Sequence, residues 1–159
     1  MTGTAHEDRT EYFKKRAGKL SCGIYRGHRA SDGLFEESPS GPQWLAFQER
    51  EDLVLWSPKL NLVSSVTGRA FALNETAIGD AATYALDHSL NIFASVSRWI
   101  LANGDGIVVL QWPRAFDSLR HSPRICLDHE VRRHYYDNMR PARMPSVRVR
   151  QASFRSVAA

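Results

Sequence analysis

A chain of 159 residues with 43% hydrophobic and 24% charged residues can bury one core, and its composition is neither that of a disordered chain nor that of a membrane-embedded one. No run approaches the roughly 18 to 20 apolar residues of a membrane span, and residues 1–19 are polar, so the expectation is a cytoplasmic protein with no membrane partner. The net charge of +4 is unevenly placed: residues 1–97 carry 10 Lys and Arg against 12 Asp and Glu, whereas residues 98–159 carry 11 Arg against 5 acids and no Lys.

In chain order, residues 1–19 form a polar N-terminal segment in which Tyr12 and Phe13 stand among charges and could form a short helix, but without a sustained apolar stripe a frayed start is expected. Residues 20–26 alternate as a strand does, and a Gly, Ser, Asp and Pro-rich loop follows over residues 27–42. Trp44, Leu45 and Phe47 suggest a short turn or helix. The apolar runs 53–56 and 60–66 around Ser57-Pro58-Lys59 suggest a hairpin or two successive strands, and residues 69–73 a further short strand. A helix is expected over 75–87, with Asn74 as N-cap and Ile78, Ala81, Ala82, Ala85 and Leu86 on its inner face.

Residues 90–93 read as a strand, Ser95 as the cap of a helix carrying Val96, Trp99 and Ile100, and Gly104 as its stop. The nearly continuous apolar run 106–112 has the character of a central strand buried on both faces. Pro113 opens a helix with Ala115, Phe116 and Leu119 inward. Residues 124–127 form another strand, and Asp128 caps a last helix through Val131, Tyr135 and Tyr136. The alternation predicts an α/β or α+β fold over residues 20–139, with a mixed, partly parallel sheet and flanking helices. Residues 140–159, with five Arg and no acid, read as a basic flexible tail.

The first functional candidate is the arginine set itself. Arg114, Arg120, Arg132, Arg133, Arg140, Arg143, Arg148 and Arg150, if they share one side, could neutralise several phosphates, with Tyr135 and Tyr136 available to stack on bases. That predicts a small binding protein for an anionic macromolecule, nucleic acid first. An interaction or inhibitory module for an acidic protein partner is the alternative, and no catalytic residue is assigned. No helix-turn-helix, zinc-finger or RNA-recognition signature accompanies the charge.

Cys22 and Cys126, far apart in apolar surroundings, read as buried reduced thiols. Cys126, His129 and His134 have a spacing that matches no standard zinc pattern, so no metal is expected. Tyr25-Arg26-Gly27, Val63-Ser64-Ser65 and Glu130 give an arginine after the first strand, a serine-bearing second strand and a late glutamate. In this the chain resembles ADP-ribosyltransferases, and the resemblance implies an NAD-using enzyme in which Arg26 and Ser64 bind NAD and Glu130 orients its ribose. The usual Ser-Thr-Ser is absent. Toprim domains, phosphate-cradling glycine loops and nucleophile elbows find no counterpart, so no cofactor is expected. Trp112, at the C-terminal end of the expected central strand with Arg114 beside it, marks the position where open α/β sheets place a small ligand.

Overall fold

In the computed structural model, which describes residues 4–141 and 146–149, the chain opens with helix α1 (Thr4–Ala17). The expected frayed start is corrected. Phe13 and Ala17 lie one turn apart, and both are buried. Phe13 meets Trp56 edge-on, with ring centroids 5.0 Å apart.

Five strands follow, β1 (Gly23–Arg29), β2 (Phe35–Glu37), β3 (Gln43–Gln48), β4 (Leu53–Ser57) and β5 (Leu62–Ser65). They form an antiparallel sheet in the order β2-β1-β3-β4-β5. The β4–β5 hairpin is as predicted. Residues 44–47 are strand rather than turn or helix, because β3 is covered on both faces. Trp44 and Ala46 pack with Leu55 on one side, while Leu45 and Phe47 enter the main core on the other. A run buried on both faces loses the alternation that marks a strand.

The expected irregular loop 27–42 contains the end of β1 and all of β2. It folds back so tightly that a Cβ on Gly41 would lie 2.4 Å from the Gly27 carbonyl oxygen, which itself accepts from the Trp44 indole at 2.9 Å. An isolated bridge joins Leu34 to Ser65, and the Ser64 hydroxyl donates to the Gly33 carbonyl at 2.8 Å. These contacts draw the two outer strands toward each other, so the sheet curls.

The second half carries short strands, β6 (Ala72–Leu73), β7 (Leu90–Ile92), β8 (Val108–Val109) and β9 (Ile125–Leu127). β6 and β8 pair antiparallel and β7 and β9 parallel, and an Ile92–Ile107 bridge joins the pairs. The expected mixed, partly parallel arrangement is therefore present, beside a larger antiparallel sheet that makes the whole an α+β fold. Residues 106–109 are buried in its middle, but the ladder spans only Val108–Val109 before a 3-10 turn at Trp112–Arg114. Helices α2 (Val96–Leu101), α3 (Ala115–Leu119) and α4 (Arg132–Asn138) complete the chain, and the Ser95 hydroxyl caps α2 as predicted, accepting from the Arg98 amide.

Several local expectations are overturned. Residues 75–87 are two 3-10 segments, Glu75–Ile78 and Ala81–Asp87, with Gly79 and Asp80 between them. The alanines of the expected inner face are exposed and Leu86 is 92% exposed. A face of alanines offers too little apolar area to hold a short helix in place. Asn74 has φ 61° and does not cap: its amide group donates to the carbonyls of Gly104 and Gly106, bracing the approach to β8.

Asp128 likewise makes no cap. Its carboxylate accepts instead from the Ala94 amide at 2.8 Å. The two thiols are free, Cys22 half-buried and Cys126 exposed, because Ile125 and Leu127 take the inward positions of β9. Among the described residues no helix is long and apolar enough to cross a membrane.

Candidate functional site

Helices α3 and α4 pack against each other and against the Trp112–Arg114 turn. Ala115, Leu119 and Val131 are buried in the second core, against which Tyr135 and Met139 also pack. His134 stacks on Trp112 at 5.7 Å. This packing sets which side chains face solvent. Arg120 lies exposed at the end of α3, and Arg132, Arg133 and Tyr136 lie exposed on α4, followed by Arg140.

The guanidinium of Arg120 lies over the Phe116 ring at 5.7 Å, and that of Arg132 over the Tyr136 ring at 5.9 Å. Such stacking engages the face of a guanidinium and leaves its in-plane N–H groups free. Arg133 has Asp137 one turn on at 3.6 Å, with 92% of its side chain exposed. Among the described residues no carboxylate lies within ion-pair distance of Arg114, Arg120, Arg132, Arg140 or Arg148. Arg143 and Arg150 lie outside the described residues. Tyr135 is half-buried, which leaves Tyr136, 60% exposed, as the more accessible ring.

Arg114 belongs elsewhere. Its Nη1 donates to the Arg69 carbonyl at 2.8 Å and to the Gln111 side-chain oxygen at 3.3 Å. The side chain borders a cavity of about 400 Å³ formed by the turn between β3 and β4, residues 69–70 and the turn Glu75–Ile78. Arg50, Arg69, Glu49, Glu51, Glu75 and Thr76 are also at its walls. Trp112, expected to mark a small-molecule site with Arg114, is turned to His134 instead.

Two buried carboxylates fix these walls. Asp52 accepts from the amides of Leu53 and Thr67 with one oxygen and of Arg69 and Ala70 with the other, at 2.8 to 3.1 Å. Burial alone would raise its pKa, but the hydrogen bonds from Thr67, Ala70 and Leu53 prevail and hold it below the usual aspartate value. Glu49 accepts from the amides of Asn74 and Glu75, yet for this group burial prevails, and the nearby Glu75 and Asp52 charges add to the upward shift. The cavity is not legible in the sequence because its residues come from four separate segments. The one local signal is the charged run Glu49-Arg50-Glu51-Asp52 between two apolar strands.

Arg98 donates to both oxygens of Glu130, at 2.5 and 2.8 Å, and to Asp128 at 3.1 Å. Those hydrogen bonds hold Glu130 down to about 2 and raise Arg98 above its ordinary value. Of the three positions in the transferase resemblance, Arg26 donates to the Gly41 carbonyl, Ser64 to that of Gly33, and Glu130 is taken by Arg98. Ser64 borders a cavity with Arg29 and Ser95, and neither Arg26 nor Glu130 lies on its walls. Among the described residues no cluster of three His, Cys, Asp or Glu side chains is arranged to hold a metal.

No protein family model matches the chain. No curated protein and no solved structure is similar enough to count as a relative.

Proposed function

We propose that this protein binds a polyanion, with nucleic acid the leading class, through the exposed face of α3 and α4 and the arginines that follow. The observation that carries this reading is the state of Arg120 and Arg132. Each is held by a neighbouring ring on one of two helices packed together, and neither is neutralised by a carboxylate. A guanidinium braced on an aromatic loses less conformational freedom when it meets a phosphate, and its N–H fork matches two phosphate oxygens. Tyr136 adds a ring on which a base can stack.

The charge asymmetry of the chain supports the same reading, since residues 98–159 carry 11 Arg against 5 acids. The test is affinity for single-stranded and duplex DNA and RNA as a function of salt. Binding is expected to weaken as salt rises, and Arg120→Gln with Arg132→Gln is expected to lower the slope of log affinity against log salt by about 1 per arginine. Affinity that ignores salt, or a slope unchanged in the double variant, would overturn the proposal.

A further inference from the structure

The cavity between the β3–β4 turn and the Glu75–Ile78 turn has an unusual charge arrangement. Arg50, Arg69 and Arg114 line it together with Glu49, Glu51 and Glu75, and among the described residues none of the six is ion-paired. The reason lies in the backbone. Glu49 is turned inward onto the Asn74 and Glu75 amides, and one oxygen of Glu75 accepts from the Phe71 amide at 3.1 Å.

Both oxygens of Glu49 and one of Glu75 are thus engaged by backbone amides rather than by the arginines. Arg114 is anchored through Nη1 on the Arg69 carbonyl, with its remaining N–H groups uncommitted, and Asp52 fixes the stretch that carries Arg69 by accepting from the amides of residues 67, 69 and 70. The walls are in place before any ligand arrives, and preorganisation of this kind favours binding. At about 400 Å³ the space falls within the range of small-molecule pockets, roughly 300 to 1,000 Å³.

We infer that this cavity is a binding site for the phosphate group of a small phosphomonoester, gripped by Arg50, Arg69 and Arg114. Three arginine residues line one space, and the N–H forks of guanidiniums match the terminal oxygens of such a group. Glu51 and the outer oxygen of Glu75 set the size of the ligand. They repel a continuous polyanionic strand but accept hydrogen bonds from hydroxyls on a compact organic part, and the Thr76 hydroxyl offers a further polar contact. This site is separate from the α3–α4 face, and its ligand is a molecule rather than a polymer.

The test is titration of the full chain with inorganic phosphate and with ribose 5-phosphate, at low salt, followed by calorimetry or by amide chemical shifts. Saturable binding of at least one probe is expected, with perturbations at residues 50, 69–70 and 75–76. The Arg50 and Arg69 side chains make no hydrogen bond within the described protein, so Arg50→Gln with Arg69→Gln is expected to preserve the fold and weaken binding at least about tenfold.

The Arg120→Gln and Arg132→Gln double variant is expected to bind the probe as the parent does. This separates failure of the cavity from failure of the α3–α4 face. Absence of saturable binding for both probes, or equal binding by the Arg50 and Arg69 double variant, would overturn the inference.

Discussion

Between residues 23 and 65 the backbone satisfies itself strand to strand, whereas from residue 67 to residue 139 polar side chains provide much of the bracing. In the first region four antiparallel pairings run in sequence through five strands, and side chains mainly fill the two faces. In the second, no strand exceeds three residues. Its turns are held by Asp52 on residues 67, 69 and 70, Asn74 on the carbonyls of Gly104 and Gly106, Arg124 on those of Tyr84 and His88, and Asp128 on the Ala94 amide. Irregular backbone can be rigid when charged and amide side chains take the place of a ladder, but its stability then rests on a few residues.

The largest effect is expected at the seam of the two regions. Asp52→Asn leaves one acceptor oxygen where two served four amides, and it sets an NH2 group against donors. A loss of roughly 3 kcal/mol or more is expected in denaturant unfolding, from hydrogen bonds to a charged group that each contribute about 1.5 to 3 kcal/mol. The depressed pKa of Asp52 adds a pH signature. Its contribution is complete above the ordinary value of 3.8 and is lost as pH falls through the lower folded value, a dependence the Asn variant should lack. A loss below 1 kcal/mol would break the contrast between the regions.

A smaller and more local effect is expected at Arg124. Its side chain donates to Tyr84 at 2.6 Å and to His88 at 3.0 Å from an exposed position, so Arg124→Ala should cost about 1 kcal/mol. Hydrogen exchange should quicken over residues 81–88 and stay unchanged in β3 and β4. Uniform acceleration would show that the two regions open as one unit.

The smallest effect concerns Glu49, whose pKa is raised chiefly by burial. Protonation is favoured by the fold, so its contribution is present below the ordinary value of 4.5 and is lost as pH rises through the folded value. Stability measured from pH 4.5 upward should therefore decline less in Glu49→Gln than in the parent. An unchanged slope would show that the carboxyl is solvated better than its burial implies.

The same contrast explains what the sequence discloses. The β4–β5 hairpin, the Ser95 cap and the buried stretch 106–109 are readable because propensity, punctuation and packing agree there. Trp44 to Phe47 mislead because both faces of β3 are covered. Asn74 and Asp128 mislead differently: their types fit a cap, but each side chain reaches a partner at least 30 residues away, which no local pattern records. The exposure of Arg120 and Arg132 follows from the inward positions of Leu119, Val131 and Tyr135, whereas the rings beneath their guanidiniums are visible only in three dimensions.

The bridge from Leu34 to Ser65 bears on how the molecule meets copies of itself. An open sheet invites another chain to add a strand along its unpaired rim, and natural proteins blunt that invitation. Here the flanking strands are three and four residues long, and the bridge and the Ser64 to Gly33 hydrogen bond occupy backbone groups that a docking strand would need. The tie through Ser64 and the Leu34–Ser65 bridge therefore leaves fewer backbone groups open along that rim.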